Sequence, residues 1–511
     1  MPPPGYLDVA GIDACVAYLV RTYPALCQTI TLPEPSREGR IIRAVRLRAG
    51  SGTRNGVLLI GGTHARELIN PDLLVRFAIH LCSAYTNGTG LTYGGKEWST
   101  TDIRLVLEAN DIFILPQLNP DGRAHVFAPG GDPWWRKNRS VNPGSACRGT
   151  DLNRNYDFLW PWTIGQTSSN PCSDTYAGAA AFSEPETRNV RWLMGTYDRI
   201  VGFIDVHSYS ELLLYPWGDD DNQTAIPDQN FRNSAWNGLR GVLGSGYAEH
   251  ITAADQDHFR DVGVRVRSAI AAVRGRTYTI QESSDLYPTS GVSADYAYAR
   301  YFSVRGTKVW GWVFETNSAS PGWQDGFQPP YSDALAVMDE VSSGLIQFLL
   351  TNICVVREVG SRVLDEAALD RLRLFRDQFM QRSAKGRTWA GLLDRHSEEM
   401  VRLVSNDRRM RAVVERSLKE AASLVTDDPA STTLAESAAS PMFELLDLVE
   451  EQASAPLKYA ARRLRKDLTS TIGRSPVKAL GRLKRDERVP GSESRLKRAA
   501  PEESNSVTDD D

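Results

Sequence analysis

The chain has 511 residues, of which 41% are hydrophobic and 24% charged, with a formal net charge of −4. That length allows a large core and more than one domain, and the near balance of charge gives no global argument for a nucleic-acid or membrane partner. No apolar run reads as the ~20 residues needed to cross a bilayer, and Met1-Pro2-Pro3-Pro4-Gly5-Tyr6 lacks the basic and apolar parts of a signal peptide, so the expectation from the start of the chain is a cytoplasmic protein.

Apolar periodicity predicts a helix at Gly11–Thr22 and a buried strand at Gly56–Ile60, closed by the Gly61-Gly62 pair. His64-Ala65-Arg66-Glu67 follows at once, and a helix is expected at Pro71–Tyr85, with Asn70 as its N-cap and Pro71 in its first turn. Ile112–Leu115 reads as the next strand, extended or preceded by Val106–Glu108. Two polar segments come next, Trp134-Trp135-Arg136-Lys137-Asn138-Arg139 and Asp151-Leu152-Asn153-Arg154-Asn155-Tyr156. A helix at Glu184–Tyr197, with Ser183 as cap and Pro185 in its first turn, leads to the strand Ile200–Val206 and then to His207. Helix Asp257–Val273, strand Val309–Phe314 running into Glu315, and helix Ser332–Leu350 complete the pattern. Alternating strands and helices predict an α/β fold with a mixed, mostly parallel central sheet flanked by helices. Ligands in such folds bind beyond the carboxyl ends of strands; His64, His207 and Glu315 all follow such ends.

Past Val355 the composition changes. Residues 355–426 read as a separate all-α region of amphipathic helices, and residues 427–511 as a Ser/Thr/Ala/Pro-rich linker, a short acidic helix at Met442–Gln452 and a largely disordered tail, basic over Leu457–Arg498 and acidic at its end. The catalytic region is therefore expected to span residues 1–354. The basic run reads as a solvated helix or tail, with docking to an unknown anionic partner as the alternative. The six cysteines form no CxxC motif. Cys15, Cys82 and Cys354 lie in apolar surroundings and read as buried thiols, whereas Cys147 and Cys172 lie in loop sequence; spacing alone leaves the pairing open.

Two histidines and one carboxylate form a catalytic zinc ligand set with an open position for water. The His-x-x-Glu spacing is weak by itself, because His396-Ser397-Glu398-Glu399 repeats it in a charged helical segment, where it reads as a surface contact. The copy at His64 differs in following a buried strand and a glycine turn. Asp151, Asn153 and Arg154 supply a carboxylate to orient an imidazole and a guanidinium to grip a carboxylate. Glu315 ends an apolar strand, where a carboxylate is costly unless paired or functional.

From about Tyr6 to Leu350 these ordered motifs resemble the zinc metallocarboxypeptidase family, of which carboxypeptidase A is the familiar member. The resemblance implies one zinc ion held by His64, Glu67 and His207, with Asp151 behind the first histidine. It implies Glu315 as general base and Arg136 as the group that polarises the scissile carbonyl. Asn153 and Arg154 are implied to bind the substrate's terminal carboxylate and the mobile Tyr287 to close over it, which makes the enzyme an exopeptidase, with Arg66 as an auxiliary substrate-binding arginine. It also implies a Cys147–Cys172 disulfide if the protein meets an oxidising compartment, and hence the alternative of an extracellular location. Specificity in the family depends on a pocket wall residue that corresponds to Ala294, a small neutral side chain that favours apolar or aromatic C-terminal residues. Glu282 counts back to another part of the pocket and would instead attract Lys or Arg.

The family's activation propeptide is not found, which implies an enzyme active as made. Asp219-Asp220-Asp221 reads as a solvated loop, with calcium binding as the alternative. The segment from Leu372 to Val413 is similar to a short helical box at the ends of unrelated bacterial proteins, which implies a localisation or interaction role. Two other functions remain open from residues alone: a peptidoglycan-directed peptidase on the same fold, and a non-catalytic peptide-binding module, against which the retention of Glu315 and Arg136 argues.

Overall fold

The four apolar runs expected as strands lie side by side at the centre of an eight-stranded sheet. A computed structural model describes residues 2–52, 54–303, 308–318, 322–353, 359–360, 363–380, 383–426 and 429–480, and the chain divides into units at 1–354 and 355–511. In the first unit the strands are β1 (Cys27–Thr31), β2 (Arg43–Leu47), β3 (Asn55–Gly61), β4 (Leu91–Tyr93), β5 (Lys96–Trp98) and β6 (Asn110–Leu115). They continue as β7 (Ile200–Ser208), β8 (Leu212–Tyr215), β9 (Asn222–Gln223), β10 (Glu249–His250), β11 (Thr279–Glu282) and β12 (Trp310–Thr316). The main sheet has the order β1-β2-β6-β3-β7-β12-β8-β11.

Its middle strands β6, β3, β7 and β12 are mutually parallel; the antiparallel pairs are β1–β2, β2–β6 and β12–β8. Every residue of β6 is buried, and so is all of β3 beyond Asn55. Strands covered by helices on both faces read as continuous apolar runs rather than alternating ones, which is why these were visible in the sequence.

The helices are α1 (Val9–Thr22), α2 (Ile69–Asn87), α3 (Thr100–Ala109), α4 (Pro120–Phe127), α5 (Pro185–Thr196), α6 (Ala253–Arg274), α7 (Ser293–Ser303), α8 (Trp323–Phe327) and α9 (Tyr331–Thr351). α9 is long and apolar enough to cross a membrane, contrary to the expectation that no such run exists, but 72% of its most apolar window is buried. It packs against α6 as a core helix.

Three local expectations are corrected. Val106–Glu108 belongs to α3, because Ser99 and Asp102 form a reciprocal capping box that starts a helix there. Asn70 lies inside α2 rather than capping it. Glu184, not Ser183, occupies the N-cap position of α5, and Pro185 is its first residue. Cys147 and Cys172 are joined by a disulfide. Cys82 is buried with its Sγ 3.4 Å from that of Cys27, Cys15 is half-buried, and Cys354 lies outside the described residues.

In the second unit helices span Glu366–Gln378, Ala384–Asn406, Arg408–Leu424, Glu436–Gln452, Ala455–Thr469 and Pro476–Ala479. The expected acidic helix at Met442–Gln452 lies within the longer helix Glu436–Gln452, and the start of the basic run is helical over Ala455–Thr469. Met410, Val413, Val414, Leu448, Val449 and Leu457 are buried. Part of the basic run is neutralised within the unit: Arg465 pairs with Asp447 and Glu450, and Arg462 with Glu450. Residues 481–511, which hold the rest of the basic run and the acidic end, lie outside the described residues.

Candidate active site and metal centre

Three parallel strands deliver the chemistry to one end of the sheet. β3 ends at Gly61, and Gly62 turns with φ +66° toward His64. A Cβ at Gly62 would stand 3.0 Å from Pro71 and 3.4 Å from Gln117, so a side chain there would crowd the turn as well as strain its positive φ. β7 carries His207 near its C-terminal end, and the β12 register sets Glu315 directly opposite His207.

His64, Glu67 and His207 are all buried, and one donor atom from each lies within 4.8 Å of the others. His64 Nδ1 is 2.6 Å from Glu67 Oε1, His207 Nδ1 is 3.1 Å from Glu67 Oε2, and the two Nδ1 atoms are 3.0 Å apart. Donors about 2.0–2.2 Å from a tetrahedral zinc ion stand roughly 3.3–3.6 Å apart, so the ion is admitted when the two pairs at 3.0 and 3.1 Å open by a few tenths of an ångström and the 2.6 Å His64–Glu67 pair opens by up to about 1 Å. Among the described residues this is the one cluster of His, Cys, Asp and Glu with that spacing. Two imidazole nitrogens and a carboxylate, all aimed at one point, fit zinc.

The outer contacts fix these side chains. Asp151 Oδ1 is 3.0 Å from His64 Nε2 and accepts the Asn153 backbone N–H at 2.9 Å. Its Oδ2 accepts Arg136 Nε and Nη2 at 3.1 and 2.8 Å. Glu67 Oε2 accepts the Ser208 N–H at 3.1 Å and faces Asn70 Nδ2 at 3.4 Å. Asn70, expected as a cap, instead orients a candidate ligand. Burial opposes charge on Glu67, but His64 and His207 more than offset it and hold its carboxyl below the usual range. Burial likewise opposes a charged His207, and Asp205 and Glu67 raise it well above the ordinary imidazole value. Glu315 is pushed up to about 8, mainly by burial, with His207 and Arg136 opposing the rise and Glu67 adding to it.

The residues expected to bind a carboxylate are held by contacts of their own. Asn153 Oδ1 accepts the Ser293 N–H at 2.9 Å. Arg154 donates from Nε to Gln166 O at 3.1 Å and from Nη1 to Asn153 O at 2.7 Å, and its guanidinium lies 5.9 Å from the Tyr287 ring centre. Tyr287 is 38% exposed. Arg66, on the turn between His64 and Glu67, stacks over Phe327 at 4.5 Å and contacts Trp134 O and Asp174.

Ala294, in the first turn of α7, packs with Leu212 and Leu214 of β8, Val313 of β12 and the half-buried Leu286. The Glu282 carboxylate is already engaged: it accepts Asn222 N–H at 2.8 Å and Gln256 Nε2 at 3.1 Å, and Arg260 stands 4.0 Å away. In the acidic loop, Asp220 accepts the Asp221 and Gly241 N–H groups at 2.8 and 2.7 Å, and Asp219 is buried 3.7 Å from Arg240. The calcium-capable run is thus used to shape its loop. At the second His-x-x-Glu copy, Glu399 accepts Ser454 N and Oγ at 2.6 and 2.8 Å, and Glu398 pairs with Arg402 at 2.9 Å. The first contact ties this helix to the start of the helix Ala455–Thr469, and the second lies within one helix. Asp205 was not singled out from the sequence, although a carboxylate inside the apolar run of β7, two residues before His207, was a legible signal.

Residues 12–340 match the family model described as zinc carboxypeptidase. Carboxypeptidase B of Helicoverpa zea is 31% identical over 68% of this chain and 70% of its own length. Carboxypeptidase B of Astacus astacus is 30% identical over 63% of this chain and 94% of its own. Bovine thrombin-activatable fibrinolysis inhibitor, solved with a tick carboxypeptidase inhibitor, shares the fold with a TM-score of 0.53 at 22% identity, over 68% of this chain and 97% of that one. The chain belongs to the zinc carboxypeptidase family and is a metallopeptidase.

Proposed function

We propose that this zinc carboxypeptidase removes single residues from peptide or protein C-termini, with a preference for apolar or aromatic ones. The observation that carries the reading is the convergence of His64, Glu67 and His207, with Glu315 beside His207 and Arg136 tied to Asp151 behind His64. When bound, the zinc ion supplies an acidified water and an electrophilic contact for the peptide carbonyl. Glu315 takes a proton from the attacking water and returns it to the leaving amine. Burial pushes the Glu315 carboxyl up, which favours its holding a proton, and His207 and Arg136 oppose the rise. Arg136, held by Asp151, faces the negative charge that grows on the carbonyl oxygen. Asn153, Arg154 and Arg66 bind the terminal carboxylate, and Tyr287 closes over the substrate.

The apolar preference rests on Ala294 and its neighbours Leu212, Leu214, Val313 and Leu286, and on the prior engagement of Glu282. The Cys147–Cys172 bond favours an oxidising compartment over the cytoplasm. The test uses purified protein, with and without zinc, on peptides ending in Phe, Leu, Lys, Arg or Glu. Zinc-dependent release of Phe and Leu ahead of Lys, Arg and Glu is expected; no zinc-dependent release from any peptide would overturn the reading.

A further inference from the structure

His207 is backed by a carboxylate from its own strand. Asp205 precedes it by two residues on β7, so both side chains project to the same face. Asp205 is fully buried. Its Oδ2 stands 3.0 Å from His207 Nε2 and accepts Ser293 Oγ at 2.7 Å, and its Oδ1 accepts Thr63 Oγ1 at 2.9 Å. The other imidazole nitrogen, Nδ1, points at Glu67 and His64.

We infer that Asp205 is a positioning residue that accepts the Nε2 proton of His207 and so leaves the Nδ1 lone pair for the metal. The inference rests on His64, Glu67 and His207 being the metal ligands. An imidazole that is neutral carries one proton, and the hydrogen bond at one nitrogen decides which nitrogen is free to ligate. One contact competes: Asn153 Nδ2 lies 3.4 Å from His207 Nε2. If Nε2 accepted from that amide, Nδ1 would carry the proton and turn it toward the ligand cluster. The Asp205 contact is shorter, and an ionised carboxylate can only accept. Three donors therefore converge on Asp205, from Thr63, Ser293 and His207, and Nε2 is the protonated nitrogen.

The same geometry recurs at His64, whose Nε2 faces Asp151 at 3.0 Å, so both imidazoles are braced alike. Asp205 differs from Asp151 in what else it holds. Thr63 directly precedes His64, and Ser293 directly precedes Ala294 at the start of α7. One buried carboxylate thus joins the two histidine segments to the helix that carries the specificity residue.

The experiment measures zinc affinity of the full chain by chelator competition for the wild type, Asp205→Asn and Asp205→Ala, and follows folding in parallel by circular dichroism. Affinity weaker by about 10-fold for the amide and up to about 100-fold for alanine is expected. Folded variants that hold zinc as tightly as the wild type would overturn the inference while leaving the metal site standing. A wild type that takes up no zinc would remove the metal-site reading and this inference with it. If neither variant folds, the zinc-loaded wild type decides by histidine ¹⁵N NMR. Two metal-bound imidazoles protonated at Nε2 are expected there, and a His207 with a bare Nε2 overturns the proposal.

Discussion

Ala294→Asp places a carboxylate in the apolar group of Leu212, Leu214, Val313 and Leu286. Ala294 is 1% exposed, so the new charge finds little water and no cation on those neighbours. A C-terminal Lys or Arg about 4 Å away would gain about 4 kcal/mol at an effective dielectric of 20. A C-terminal Leu or Phe would leave the acid unpaired, at a cost of about 1–3 kcal/mol or protonation of the acid. Imperfect geometry removes part of that swing, and about 3 kcal/mol corresponds to a preference change of roughly 10²-fold. The assay compares kcat/KM for peptide pairs that differ only in the last residue, so the ratio is independent of how much enzyme is folded. A Lys/Leu ratio that stays within threefold of the wild type, in a folded variant, would remove Ala294 from the pocket. The paired variant Glu282→Gln should leave the ratio nearly unchanged, because that carboxylate is already bound by Asn222 and Gln256. A drop in Lys and Arg rates would instead make Glu282 the determinant.

Glu315→Gln should lower kcat by about 10²–10⁴-fold while chelator competition still reports bound zinc; a variant with normal turnover would end the assignment of Glu315 as base. Glu186 is pushed up from 4.5 to about 8 by burial and then by Glu184. Between those two values the folded state keeps a proton that the unfolded chain has released. Stability is therefore fullest below pH 4.5 and falls as pH rises toward 8, by on the order of 4 kcal/mol from this group. Glu186→Gln should flatten the decline in melting temperature between pH 5 and 8, and an unchanged slope would refute the cause. Cys147→Ser opens a bond between residues 25 apart in sequence and should cost about 3 kcal/mol in chemical denaturation under oxidising conditions. A loss that persists equally under reducing conditions would trace to packing instead.

The strands β3, β6, β7 and β12 were legible because helices cover both faces of the sheet, which leaves uninterrupted apolar runs. β1 was not, since only Cys27 and Ile30 of its five residues are buried, and β8 and β11 are four residues each. The helical turn at Val106–Glu108 was hidden because a capping box at Ser99 and Asp102 outweighs a short apolar triplet. Among site residues, the sequence-ordered motifs brought out His64, Glu67, Asn153, Arg154 and Glu315. Asn70 and Asp205 escaped because their roles depend on neighbours far along the chain, namely Ser208 and Thr316 for the first, and Thr63 and Ser293 for the second.

Residue order alone supplies the kinds of chemistry: a three-residue spacing on a turn after a strand, a histidine at the end of another, and a carboxylate closing a third. It cannot say that these ends meet, because chain positions more than 100 residues apart carry no distance information. The sheet register decides that, by setting Glu315 opposite His207 and β3 alongside β7. Tertiary contacts likewise separate two carboxylates, leaving Glu282 at the end of β11 bound by Asn222 and Gln256 and Asp205 against a candidate metal ligand.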